Sequence, residues 1–175
     1  MAVGAYEIKN TGQAPDLPLA ERWAGGRWRK QPTPGKGVLV GVSCPAFSEC
    51  IAVGSQPNPN LGKNDTIVLA MRWSGGKWRK QATPVLSGST LGFLIGLSCT
   101  TLTSCTAAGW VDLTTAVTAI ANWNGTRWTL DLTPNPAKSI STSFTSISCG
   151  VHFECRAAGS YETPSFTVKT LIERG

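Results

Sequence analysis

Six cysteines, seven tryptophans, one histidine and ten carboxylates are the side chains in this 175-residue sequence whose types and spacing could carry chemistry. The cysteines fall in three pairs, Cys44/Cys50, Cys99/Cys105 and Cys149/Cys155, always with five residues between. Such a pair brackets a turn between two strands and permits a cross-strand disulfide, worth about 2.4 kcal/mol on the chain-entropy account. Three evenly repeated pairs point to an oxidising compartment. The competing chemistry is metal binding, but no two pairs adjoin and His152 is the only imidazole, so no metal or other cofactor is expected. His152 lies inside the third cysteine turn and offers no Ser-His-Asp or Cys-His arrangement. The carboxylates are scattered. Asp16, Asp65 and Asp112 keep a two-carboxylate glycoside-cleaving site open as the lesser alternative to a non-enzyme.

The tryptophans reveal what must position these groups. Trp23 and Trp28 recur as Trp73 and Trp78 and again as Trp123 and Trp128, each step being fifty residues. The segments read WAGGRW, WSGGKW and WNGTRW, and each runs on to a Thr-Pro: Thr33-Pro34, Thr83-Pro84 and Thr133-Pro134. After each second cysteine comes a small-residue strand ending in glycine, at Gly54, Gly109 and Gly159, and Ala2-Val3-Gly4 repeats that element. One unit reads as four short strands: Val38 to Cys44, Cys50 to Gly54, Ile67 to Trp73, and Lys77 to about Thr83. Gly-Gly and Asn-Gly between paired tryptophans are tight-hairpin chemistry, because these residues accept φ > 0.

Four strands per fifty residues is the size of a β-propeller blade. The expected fold is therefore all-β, a propeller-type array of four-stranded antiparallel blades, with a solenoid or stacked hairpins as the alternative. The expected single repeat domain, 1–175, divides into an incomplete unit (1–34), two full units (35–84 and 85–134) and a second incomplete unit (135–175). That makes fourteen strands, or about three and a half blade equivalents. Open sheet edges invite pairing, so the chain is expected either to form a homo-oligomer, a dimer first, or to be part of a longer array.

With its G-x-S-C, five residues, C-x-A-x-G core and W-x-G-x-x-W hairpin, the sequence resembles Cys-containing β-propeller repeats of actinobacterial secreted proteins. These are similar to sialidase-like and photosystem-assembly-factor-like repeats. The resemblance implies a fold and no activity; the sialidase catalytic residues and the Asp-box have no counterpart here.

In an antiparallel meander the turns sort by parity onto two ends. The cysteine and Trp hairpin turns are constant and share one end. The connections 7–17, 34–37, 55–65, 84–92, 111–115, 134–142 and 161–165 vary and share the other. Variable loops on a rigid frame are where binding usually sits. Trp110 occupies the column of Ala5, Ser55 and Ser160, where no repeat demands an indole, and is the foremost candidate for a ligand contact beside Asp112. A local packing role is the alternative. Tyr6, Tyr161 and Asp65 are further candidates. The six hairpin tryptophans, by contrast, read as structural packing between units rather than as sugar-stacking platforms.

The net charge is +6, concentrated in the first hundred residues, chiefly around Arg27, Arg29, Lys30, Lys77, Arg79 and Lys80. Cations beside Trp can bind nucleic acid, but on an outer strand they also blunt an exposed edge, and that reading is preferred. No apolar run reaches the roughly 20 residues of a membrane helix, and Met1–Tyr6 has no signal-peptide character. The expected protein is a secreted or cell-surface binding module for a glycan or other surface ligand, its export signal not present in this chain. A structural assembly protein that closes a ring by oligomerisation is the alternative.

Overall fold

A computed structural model describes residues 1–7, 16–60, 62, 64–150 and 154–175. These residues form fourteen strands in four antiparallel sheets, with no helix among them. Sheet I contains β1 (Ala2–Tyr6), β2 (Leu17–Ala24) and β3 (Arg27–Gln31). Sheet II contains β4 (Val38–Ala46), β5 (Glu49–Pro57), β6 (Thr66–Ser74) and β7 (Lys77–Gln81). Sheet III contains β8 (Leu91–Thr101), β9 (Ser104–Asp112), β10 (Ala116–Trp123) and β11 (Trp128–Leu132). Sheet IV contains β12 (Ser141–Cys149), β13 (Cys155–Glu162) and β14 (Val168–Arg174). Each sheet is a simple meander in chain order.

The repeated motifs explain the local structure. Trp23 pairs with Trp28, Trp73 with Trp78 and Trp123 with Trp128 directly across each hairpin. Two consecutive glycines at positive φ, Gly25–Gly26 and Gly75–Gly76, close the first two hairpins in the geometry that matches strand twist. In the third, the Asn124 side chain accepts the N–H groups of Thr126 and Arg127, both at 3.0 Å. The Thr-Pro element closes each unit from the other side. Thr33 donates its hydroxyl to the carbonyl of Pro18, Thr83 to that of Val68 at 2.9 Å, and Thr133 to the hydroxyl of Thr118 at 2.7 Å.

All three expected cysteine pairs are disulfides: Cys44–Cys50, Cys99–Cys105 and Cys149–Cys155, with Cα atoms 3.9–4.0 Å apart. Their surroundings differ from the sequence reading, which treats each pair only as a staple across a turn. Cys50 and Cys105 are core residues as well, each 3% exposed, whereas Cys155 is only half-buried. Cys105 packs in one cluster with Ala107, Ala121, Trp123 and Trp128, and Cys50 with Ala52, Trp73 and Trp78. The physical reason is the register: Cys50 and Cys105 stand directly opposite Trp73 and Trp123, so each sulfur lies on the face that the Trp hairpin buries.

Two strand limits also differ from expectation. The fourth strand stops at Gln81, and Thr83 acts through its side chain instead. The second strand runs past its glycine, to Pro57 in β5 and Asp112 in β9. These glycines do not end strands; they let the neighbouring strand approach. A Cβ on Gly54, Gly109 or Gly159 would lie about 2 Å from the carbonyl oxygen of Val38, Phe93 or Ser143.

The core is distributed over the interfaces between consecutive sheets. We term the face of a sheet turned toward its predecessor the front and the other the back. The front of sheet II, with Leu39, Ala52, Met71, Trp73 and Trp78, packs on Met1, Val3 and Ala20 of sheet I. Leu94, Ala107, Ala121, Trp123 and Trp128 on the front of sheet III pack on Ile51, Val53, Val68 and Ala70. Phe144, Ala157, Ile147 and Leu171 of sheet IV pack on Ala108 and Ile120. Trp128 also donates its indole N–H to Gln81 of sheet II at 3.0 Å. Trp23 and Trp28, expected to pack between units like their counterparts, are instead exposed, because among the described residues no sheet packs on the front of sheet I.

The first strands of sheets II, III and IV are tied to one another. Ser43 accepts the backbone N–H of Cys99 at 3.1 Å, and Ser98 accepts that of Cys149 at 3.0 Å. A Cβ on Gly41 would lie 2.6 Å from the Ile95 carbonyl, and one on Gly96 would lie 2.7 Å from the Ile147 nitrogen. The G-x-S-C motif is thus an inter-sheet device: glycine admits the next first strand, and serine satisfies its cysteine N–H.

Candidate functional site

The candidate residues are distributed along the end of the sheets where the variable connections lie. Tyr6 ends β1, Asp65 precedes β6, Trp110 and Asp112 lie in β9, and Tyr161 lies in β13. Each sheet contributes at least one of them. Trp110, expected at the lip of a loop, is a strand residue whose backbone pairs with Phe93 on one side and Thr118 on the other. His152 lies outside the described residues, as does most of the 7–17 connection.

Three candidates have evident local partners. The Lys30 ammonium sits 3.5 Å from the centroid of the Tyr6 ring, a cation–π contact that covers one ring face. Lys80 holds the equivalent position in sheet II, donating to Gln56 at 2.6 Å, and burial there lowers its pKa from the ordinary lysine value. The Asp65 carboxylate accepts the N–H of Gly62 at 2.7 Å, while its backbone carbonyl accepts that of Asn58 at 2.8 Å. Asp65 therefore closes its own loop. Asp112 offers its backbone carbonyl to the N–H of Thr90 at 3.1 Å.

Trp110 and Asp112 share the back of sheet III by strand alternation. Trp110 stacks on Phe93 of β8, the ring centroids 6.3 Å apart and the planes inclined by only 11°. Both rings remain half-buried. On the same face, Thr118 donates its hydroxyl to the Asn135 side-chain oxygen at 2.9 Å and its backbone N–H to the Thr142 hydroxyl of sheet IV at 3.1 Å. Thr142 in turn donates to Asn135. The result is an aromatic ledge beside an anchored cluster of hydroxyl and amide groups, with a carboxylate at the strand end. Phe93, Asn135 and Thr142 are not evident from the sequence singly. Their signal is the strand register, which places the two residues that depart from repeat chemistry, Phe93 and Trp110, directly opposite each other.

Two grooves lie elsewhere. One, of about 420 Å³, runs between Asn58, Pro59 and Asn60 and the connection from Val85 to Thr90. It joins two variable loops, tied by the Thr66 N–H to the Thr90 carbonyl at 3.0 Å. The other, of about 470 Å³, lies between sheets III and IV toward the disulfide end, between Thr106 and Asn122 on one wall and Cys155 and Glu173 on the other. At the preceding interface Trp123 and Trp128 fill the matching space; Gly175, which exchanges both backbone hydrogen bonds with Cys155, stands in the Trp123 column. This is why Cys105 is buried and Cys155 is not: the first has an indole across from it, the second a glycine. Burial in this groove raises the Glu173 pKa above the ordinary carboxylate value. None of the five candidate ligand residues lines either groove.

Among the described residues no three His, Cys, Asp or Glu side chains gather as a metal site, and no cysteine is free. The chain matches no protein-family profile and no curated protein.

Proposed function

We propose that this chain is a propeller-type array of radially disposed blades that acts as a binding module in an oxidising, extracytoplasmic setting. Its ligand is a glycan or glycan-bearing surface that engages the variable end. The radial arrangement is supported by the first strands of sheets II to IV, which approach at glycine and bond Ser43 to Cys99 and Ser98 to Cys149. Strands crowded in this way are expected around a central axis, where blades converge. The setting is supported by the three disulfides. No helix of the described chain is long and apolar enough to cross a membrane.

The observation that carries the ligand class is the Phe93–Trp110 stack beside Asp112 and the Thr118–Asn135–Thr142 cluster. A flat aromatic surface covers the apolar face of a sugar ring, while the half-buried Asp112 carboxylate and Asn135 amide at its border take the sugar hydroxyls; Thr118 and Thr142 are buried and hold Asn135 in place. The test is a titration of immobilised and soluble glycans against intrinsic tryptophan fluorescence. Saturable binding is expected, weakened about tenfold in Trp110→Ala and largely kept in Trp110→Phe, which preserves the stack. Absence of binding across a broad panel, or full affinity in Trp110→Ala, would refute the assignment.

A further inference from the structure

Every interface between consecutive sheets uses the front of one on the back of the one before, and among the described residues two such faces are left uncovered. On the front of sheet I, Trp23 and Trp28 are 56% and 50% exposed, whereas the buried tryptophans of sheets II and III in the same columns are at most 8% exposed. On the back of sheet IV, Ile172 is 72% exposed, although its column mates Ala70 and Ile120 are packed against the next sheet.

The side chains across the successive interfaces form two matched series. The strand register places Met1, Ile51, Thr106 and Arg156 in one column on the backs, and Glu21, Met71, Ala121 and Glu173 in another on the fronts. Met1 packs in one cluster with Met71, Ile51 in one cluster with Ala121, and Thr106 and Glu173 share one groove. Apolar residues therefore face apolar ones, and polar faces polar. The unmatched members are a cation, Arg156, and an anion, Glu21. Arg156 is half-exposed, 3.6 Å from Glu154, and has Arg174 directly opposite it on β14.

We propose that a second copy of this chain docks head to tail, the front of its sheet I on the back of sheet IV. Glu21 of one copy then meets Arg156 of the other, and the Trp23–Trp28 hairpin covers Ile172. The contact is heterologous: each copy uses two different faces, so association closes a ring or propagates. The inference stands on sheet packing and is independent of the ligand reading above.

The test is the mass of the oxidised 175-residue chain by sedimentation over a range of concentrations. A mass above one chain is expected, and Glu21→Arg or Arg156→Glu alone should weaken the association at least about tenfold. The heterologous geometry makes a further demand. Mixing the two single variants leaves one wild-type front to meet one wild-type back, so association must return in the mixture, as it must in the double charge swap. Circular dichroism of each variant separates lost association from lost fold. A single-chain mass at every concentration, or association indifferent to both reversals, overturns the proposal.

Discussion

The Trp23–Trp28 hairpin and the Trp73–Trp78 hairpin are nearly the same object in different surroundings. Both place their rings across one strand pair, 5.6 Å apart in the first and 5.8 Å in the second, and both turn through two glycines at positive φ. Yet Trp73 is 3% exposed and Trp23 56%. The motif therefore encodes the hairpin, and the neighbouring sheet supplies the burial. It follows that the hairpin tryptophans are packing anchors between sheets, and that their energetic value depends on whether a predecessor is present.

The largest effect that could break this comparison comes from truncating the two rings. Trp73→Ala opens a cavity in the sheet I–sheet II core and should cost about 3–5 kcal/mol. Trp23→Ala removes a half-exposed ring and should cost only about 1 kcal/mol in the single chain. Urea unfolding of the two variants, at a concentration where the wild type has the mass of one chain, gives both numbers. Equal costs would mean that the ring stabilises its own hairpin and not the interface.

A second comparison, of intermediate size, uses the glycine that closes the C-x-A-x-G element. Gly4 and Gly109 occupy the same column, yet a Cβ at Gly4 meets nothing within 4 Å, while one at Gly109 lands 1.9 Å from the Phe93 carbonyl. Gly109→Ala should cost about 1–3 kcal/mol through displacement of β8, and Gly4→Ala should be neutral or stabilising by a few tenths of a kcal/mol. Thermal midpoints of the two variants test the difference. A tolerated Gly109→Ala would show that the close approach of first and second strands is not required.

These glycines also mark where the sequence is legible and where it is not. The fifty-residue period, the cysteine pairs and the Trp hairpins suffice to count fourteen strands, because each motif is a local device with its own turn chemistry. The reach of the second strand is hidden because glycine reads locally as a terminator, while here its role is set by a carbonyl from another strand. The cysteines divide in the same way. Their pairing is legible from spacing, but the burial of Cys105 and the lesser burial of its counterpart Cys155 depend on what the third strand places opposite. The site is less visible for the same reason. Trp110 stands out from its column, but Phe93 becomes its partner only through the register of β8 and β9, and Asn135 only through the fold of the connection that follows β11. Tyr6 is visible in its column too, but that Lys30 lies over one face of its ring follows only from the fold.

The smallest effect concerns the column in which Met71 and Ala121 are apolar and Glu173 is not. Met71 is fully buried in the sheet I–sheet II core, whereas Glu173 lies in the open groove between sheets III and IV. Desolvation by burial raises its pKa. A raised folded-state pKa means that the folded chain holds this proton more tightly than the unfolded chain does. The associated stability is thus present below the unfolded-state value and is lost as pH rises through the folded-state one. Glu173→Gln keeps the polar shape without the charge, so its stability relative to wild type should improve as pH rises through that range and then level off. Urea midpoints of the pair, measured below and above the carboxylate range, give the sign directly. A difference that stays flat or reverses would place the Glu173 carboxylate in a solvated or cation-paired setting, and would remove the contrast between this polar interface and the dry ones before it.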